Sequence, residues 1–273
     1  MKAKEIMLRN HVPMPALGMG CYNISGEALR SAVDQAAKIG YRLFDTAKRY
    51  GNEKEVGEGL RRCGVPREEL FIISKIWPTD YDEPVRWIEA GLKAINCGYL
   101  DMMLLHWPGT QESRRLKAWE ALLKYRDLGL LHNIGVSNFS PAHLEGIKQQ
   151  FGEYPVVNEI EHHPWYQQHN LTEFCRRHQI AVIGWRPLCR GRGSQEPLIL
   201  ELAAKYQKTP SQIILRWDFQ KGIVPIPKSS HLVRLEENIS IFDYALADEE
   251  ILQMDALECG ATTALADPET FDG

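Results

Sequence analysis

No two of the six cysteines (Cys21, Cys63, Cys97, Cys175, Cys189 and Cys259) stand at the spacing of a C-x-x-C or zinc-finger pair. Scattered thiols of this kind stay reduced and pack as small hydrophobes, so neither a disulfide framework nor a thiolate metal site is expected. Long apolar runs are also missing, which excludes a helical membrane span. The opening MKAKEIMLRN has no apolar core of a secretory type, and a soluble, cytoplasmic protein is the expectation. Charge of one sign is lacking too: 32 Lys and Arg against 36 Asp and Glu, well mixed, give no footprint for nucleic acid. No linker or low-complexity stretch divides the 273 residues, so residues 1–273 read as a single domain.

What is present is alternation. Short runs rich in β-branched and aromatic residues occur at 16–21 (ALGMGC), 41–45 (YRLFD), 70–75 (LFIISK), 101–106 (DMMLLH), 131–137 (LHNIGVS), 156–161 (VVNEIE), 181–186 (AVIGWR) and 222–227 (GIVPIP). Between them lie helical patterns such as GEALRSAVDQAAKIG (26–40) and RRLKAWEALLKYRDLG (114–129), the latter stopping at Gly129. Strand and helix alternating eight times call for a parallel sheet closed into a (β/α)₈ TIM barrel. The competing open, doubly wound sheet would carry G-x-G-x-x-G. Here Gly18-x-Gly20 is followed by Asn23, and Gly57-x-Gly59 by Arg62, where the third glycine belongs. LRNHVPMPAL (8–17) reads as a hairpin capping the barrel floor. GATTALADPETFDG (260–273) reads as an irregular tail folding over a pocket.

In such a barrel, ionisable groups at the C-terminal ends of strands meet at one mouth. Asp45, Lys75 and His106 each directly follow or close an apolar run, and Tyr50 comes five residues after Asp45. A phenol is a poor acid at neutral pH, and a neighbouring ammonium favours its phenolate, lowering the pKa. A carboxylate keeps that ammonium charged and placed, and a neutral imidazole can orient a carbonyl oxygen. The four suit protonation of a carbonyl that receives a hydride from elsewhere. Taken singly, each has a plainer role: Asp45 as a helix cap, Lys75 as a solvated strand end, Tyr50 as a surface aromatic, His106 as a turn histidine. Their equivalent placement favours the shared site.

These residues resemble the aldo-keto reductases. DTAKRYGNE (45–53) is similar to that family's D-T-A-x-x-Y-x-N-E signature, SKIWP (74–78) to its lysine strand and MLLHWP (103–108) to its L-I-H-W-P strand. GVSNF (135–139), NEIEHHP (158–164) and IPKSSHLVRLEEN (226–238) follow in family order, covering nearly the whole chain. The resemblance implies reduction of aldehydes and ketones with NADPH, with Tyr50 as general acid, Lys75 and Asp45 tuning it and His106 orienting the carbonyl. NADPH/NADP+ would lie across the mouth, against Gly20, Cys21 and Asp45. Ser137 and Asn138 would hold the carboxamide, and Trp185 would stack on the ring. Arg186, Pro187 and Leu188 would follow the cofactor. Lys228, Ser229 and Arg234 would meet a 2′-phosphate, and Glu237 and Asn238 the adenine. Tyr22, Trp77 and Trp107, with His106, would line the pocket of a small carbonyl substrate; a monomer is expected by the same analogy.

Several positions depart from the family pattern. Glu159 stands where family members place Gln; an ionised carboxylate can only accept hydrogen bonds, whereas Gln also donates. Cys21 stands where Thr is usual. GWRPLCRGRG (184–193) puts Arg186, Arg190 and Arg192 near the mouth, suggesting a polar or anionic carbonyl such as a keto sugar, keto acid or keto ester. Two other readings are weighed. A metal-dependent hydrolase could recruit His106, Asp45, Glu161, His162 and His163, but adjacent histidines on a strand point to opposite faces, and a first-strand H-x-H pair is absent. A cofactor-binding regulatory or redox-sensing protein with weak turnover is the alternative that Glu159 leaves open, and turnover of a simple aldehyde separates it from an enzyme.

Overall fold

A computed structural model describes residues 4–264 and 266–273. Its strands are β1 (Glu5–Met7), β2 (Pro13–Pro15), β3 (Gly18–Gly20), β4 (Leu43–Asp45), β5 (Phe71–Ile76), β6 (Leu100–Leu105), β7 (Leu131–Ser137), β8 (Val157–Glu161), β9 (Ala181–Trp185) and β10 (Ile223–Pro225). The helices are α1 (Gly26–Ile39), α2 (Glu53–Arg62), α3 (Pro84–Ile95), α4 (Glu112–Asp127), α5 (Pro141–Phe151), α6 (His169–Arg177), α7 (Pro197–Tyr206), α8 (Pro210–Gln220), α9 (Leu232–Ile239) and α10 (Asp248–Asp255).

β3 to β10 form one eight-stranded parallel sheet in sequence order. It curls until β3 meets the residues after β10, where Gly20 bridges Lys228 and the Gly20 amide donates to Pro227 O at 3.1 Å. The approach is tight: a Cβ on Gly20 would lie 2.8 Å from Ile226 O. Strands buried on both faces are largely apolar: β6 is buried at all six positions, with Asp101 its one polar residue. One face fills the barrel with Leu43, Ile73, Met102, Leu104, Val157, Ile183 and Val224, closed by Leu8 and Met14 from the hairpin. The other face packs against the helices.

The helices form where periodicity and caps agree. In α1, Leu29, Ala32, Val33, Ala36 and Ala37 make the buried stripe, and Gly40 stops the helix at φ 115°. α8 starts at a Thr209–Gln212 capping box followed by Pro210. The hairpin lies earlier than the sequence suggests: 8–12 are its turn, with Leu8 N donating to Val12 O, and charged residues 4 and 5 hide its first strand. Residues 259–273 form no helix or strand among the described residues, and Phe271 packs against Trp77 and Trp107 at ring-centre distances of 5.5 and 4.8 Å.

Candidate active site

The strand register sets Asp45, Lys75 and Glu159 at the same end of the barrel: Asp45 is level with Gly20, Ser137 with Glu159, and Glu161 with Trp185. Asp45 closes β4 and Lys75 lies one residue from the end of β5, and both are buried. The Lys75 ammonium donates to the Asp45 carboxylate and, at 3.1 Å, to Thr46 O, and lies 3.2 Å from Glu159 Oε1. Tyr50, in a 3-10 turn after β4, faces the same group: Nζ of Lys75 is 5.3 Å from its ring centre. His106 follows β6 and meets Tyr50 edge to face, with centres 5.6 Å apart. The Trp77 ring centre lies 4.8 Å from that of His106, and Tyr22 lies 5.0 Å from Tyr50. The four residues nominated from the sequence therefore converge.

Their electrostatics are set by burial. Burial alone would lower the Lys75 ammonium, but the charges of Asp45 and Glu159 outweigh it and hold it above the usual lysine range. Burial raises Asp45, partly offset by Lys75. Burial likewise pushes Glu159 up to about 8, with Asp45 adding to the shift and Lys75 opposing it. His106 is held well below the usual imidazole range, first by burial and then by the charge of Lys75, and is neutral at pH 7. Its Nδ1 has no partner, and neither has Oε2 of Glu159. The expectation for Tyr50 needs correction. Lys75 does act to lower its pKa, but burial, Asp45 and Glu159 outweigh it, and the phenol sits above its usual range.

A scaffold holds these groups. Asn52 Nδ2 donates to Cys21 O and Ile24 O at 2.9 Å each, and its Oδ1 accepts from Thr46 Oγ1 at 2.6 Å, tying the Tyr50 turn to the end of β3. Glu53, buried beside it, accepts from Ser74 Oγ next to Lys75. Neither was assigned a role from the sequence, although both lie inside the 45–53 motif and their burial as polar residues is the signal. Asn138, at φ 63°, donates to His106 O at 3.0 Å and accepts from Trp185 Nε1 at 3.0 Å. Ser137 Oγ donates to Glu159 O. The buried Cys21 thiol, raised by burial and by Asp45, lies beside the Asp45 strand end.

Arg186 differs from its expected role: its guanidinium donates to Thr263 O at 2.9 Å and to Thr263 Oγ1 at 3.1 Å, holding the tail. Arg192 lies over Trp165, 4.6 Å from the ring centre, while Arg190 is exposed. Pro187 is buried and Leu188 half-buried in the same loop. The tail is pinned from beneath as well. Glu161 accepts from Thr262 Oγ1 at 2.6 Å, Thr263 N at 2.9 Å, Ala264 N at 3.2 Å and Thr263 Oγ1. Burial would raise this carboxyl, but the nearby His163 and the hydrogen bonds from Thr262 and Thr263 hold it at about 2. His163 lies 3.4 Å from Glu161, and His162 pairs with Asp218 at 2.7 Å on the opposite side. His162 thus has a hydrogen-bond partner in Asp218, while His163 only lies near Glu161 and neither of its ring nitrogens makes a hydrogen bond among the described residues.

A cavity of about 610 Å³ opens between the ends of β7 to β9 and the tail, walled by Trp107, Asn138, Glu161, Trp185 and Thr262. Tyr50, Lys75 and His106 lie outside its wall, and the chemistry is therefore located by the converging side chains and not by this cavity. A dinucleotide fits the residues around the mouth. Trp185 offers a half-buried indole there. His106 Nδ1 is buried without a partner among the described residues, so that the imidazole can bond a ligand there. Lys228 and Arg234 are exposed cations, with Ser229 and Asn238 buried between and behind them; Glu237 is half-buried on α9.

A sequence profile described as the Aldo/keto reductase family matches residues 16–258. The 9,11-endoperoxide prostaglandin H2 reductase of Trypanosoma cruzi is 39% identical over 272 residues, covering 97% of this chain and 95% of that protein. Methylglyoxal reductase DkgA of Yersinia pestis is 39% identical over 260 residues, 94% of each chain. A crystal structure of a Gox0644 mutant in complex with NADPH superposes with a TM-score of 0.94 at 34% identity, covering 99% of both chains. With the profile spanning most of the chain and the barrel shared with a solved relative, this protein belongs to the aldo/keto reductase family.

Proposed function

We propose that this chain reduces small aldehydes and ketones to alcohols with NADPH, acting as one domain and as a monomer. The observation that carries the reading is the convergence of Tyr50, Lys75, Asp45 and a neutral His106 at one barrel mouth. Gly20, Cys21, Ser137, Asn138, Glu159 and Trp185 would hold the nicotinamide half of the cofactor, and Pro187 and Leu188 the span beyond it. Lys228, Ser229, Arg234, Glu237 and Asn238 would hold the adenosine phosphate end. When bound, NADPH supplies the hydride for the carbonyl carbon.

His106 donates from one ring nitrogen to the carbonyl oxygen and fixes its direction. Tyr50 gives its phenolic proton to that oxygen as charge develops there, and the Lys75 ammonium stabilises the phenolate left behind. Asp45 keeps Lys75 protonated and in place. Trp77, Trp107 and Tyr22 wall the reacting centre with aromatic surface. Tyr50→Phe is expected to lower kcat for methylglyoxal by about a thousandfold or more. Its NADPH affinity, read by calorimetry, should stay within a few-fold of the parent. Full turnover in that variant would remove Tyr50 from the mechanism, and cofactor binding without any carbonyl reduction by the parent chain would favour a regulatory protein.

The substrate class we favour is a small polar carbonyl, including 2-oxoaldehydes of the kind named for the DkgA relatives, keto sugars, keto acids and keto esters. Since Arg186 is engaged by the tail, the cation we favour for meeting an anionic substrate is Arg49. It is exposed, 5.5 Å from the Trp77 ring centre, and its charge reaches His106. Arg49→Glu should raise KM for a keto acid by about tenfold while leaving KM for methylglyoxal within twofold. An equal change for both would remove the anion preference.

A further inference from the structure

We infer that Asp45 and Glu159 hold one proton between them above Lys75, and that Glu159 thereby sets the charge of the proton-donating site. The inference rests on the proposed role of Tyr50. Three acidic groups, Asp45, Glu159 and Tyr50, face a single ammonium, and the Lys75, Asp45 and Glu159 side chains are almost wholly buried. One lysine neutralises one carboxylate. A second ionised carboxylate without a counter-charge in such a place is costly enough that the group keeps its proton instead.

The local hydrogen bonding agrees. Glu159 Oε1 lies 3.2 Å from Lys75 Nζ, whereas Oε2 is buried with no donor directed at it. An ionised carboxylate would need a donor there, while a protonated one brings its own. Asp45 and Glu159 both face Lys75 Nζ, and two carboxyls gathered on one ammonium can bond to each other only if one retains a proton. The titratable groups facing Glu159 are Asp45 of β4, Tyr50 of the following turn and Lys75 of β5. Its neighbours Ser137 and Asn138 from β7 and Ile183 from β9 do not titrate. The sequence departure from Gln to Glu thus has a chemical content: at neutral pH the carboxyl is a neutral donor, as an amide would be, and it ceases to be one in mild alkali.

The consequence concerns Tyr50. While the pair keeps its proton, the cluster of Lys75, Asp45 and Glu159 is neutral. Once the proton leaves, a net negative charge stands beside the phenol and makes its own deprotonation harder, so protonation of the carbonyl oxygen slows. The direction follows from the burial that lifts Glu159 to about 8. Glu159 acts through Tyr50 and Lys75 and is a positioning residue.

The test compares the parent chain with Glu159→Gln. Turnover of methylglyoxal with saturating NADPH is measured from about pH 6 to 10. The parent is expected to lose about tenfold in kcat between pH 7 and 9 along a one-proton limb, and E159Q less than twofold. Persistence of the same limb in E159Q would overturn the proposal. Infrared difference spectroscopy of the cofactor-free protein gives a second readout that does not need turnover. A protonated carboxyl C=O band present at pH 7 should vanish by pH 10 and be missing from E159Q at every pH. Absence of that band from the parent at pH 7 would overturn the proposal even if E159Q proved inactive. Tyr50→Phe separates the two levels: if it turns over normally the reading of Tyr50 fails, while the carboxyl band still decides whether the proton is shared.

Discussion

Lys75 is the residue on which the site depends, because it is the single buried cation among Asp45, Glu159 and Tyr50. Lys75→Met would leave the carboxylates without a counter-charge and should destabilise the fold by about 3–5 kcal/mol, readable as a lower urea midpoint. The raised carboxyl of Glu159 acts on stability in the opposite sense to an ordinary ion pair. Between its usual value of 4.5 and about 8, the folded chain holds a proton that the unfolded chain has released. Stability therefore declines as pH rises across that window and levels off above it. E159Q lacks this slope, so its Tm relative to the parent should climb from pH 5 to 9; a constant difference would refute the shifted pKa. At the cofactor's far end, Arg234→Glu should weaken NADPH binding about ten- to hundredfold and NADH binding little, measured by calorimetry.

Asp45, Lys75 and His106 were legible in the sequence because each ends an apolar run at the same barrel face, and Tyr50 because it follows Asp45 by five residues. Their net electrostatics were not. The lysine's pull on Tyr50 can be anticipated from the pairing alone, but how completely the group is buried, and that Glu159 joins it, depends on strands far apart in sequence. Arg186 shows the same limit: its loop was identifiable, its capture by Thr263 was not.

At the scale of elements, the barrel strands and the α1 and α4 boundaries agree with periodicity to within one or two residues, since these strands are buried along most of their length and the two helices end at glycines. The tail is different. Nothing periodic marks residues 262–264, and their partner Glu161 lies about a hundred positions earlier. Glu161→Ala removes four hydrogen bonds to the tail, and limited proteolysis should then cut within 259–273 well before the barrel. Unchanged cleavage there would mean that Arg186 and Phe271 hold the tail unaided. The packing of α2 on α3 has an equally local cause: a Cβ on Gly57 would stand 2.0 Å from Ile95 O, and Gly57→Ala should cost about 1–3 kcal/mol in denaturant unfolding.

For the whole molecule, eight alternating units made the closed parallel sheet legible, and the missing dinucleotide fingerprint removed the open-sheet alternative. The place of closure was not legible, since a single bridge at Gly20 joins the first and last barrel strands. If the chain is one cooperative unit, as proposed, far-UV and near-UV circular dichroism should trace the same denaturant transition; two midpoints would divide it.

The aromatic side chains at the mouth form a continuous series from Tyr22 through Tyr50, His106 and Trp77 to Phe271 and Trp107. Two indoles stand within this row, and Trp185 faces the same opening from β9. A reduced nicotinamide lodged among them would accept their excitation energy, so the pocket carries its own optical gauge. Emission from these tryptophans should report occupancy and tail position without any added dye, and changing each to Phe in turn would show which part of the mouth is being read.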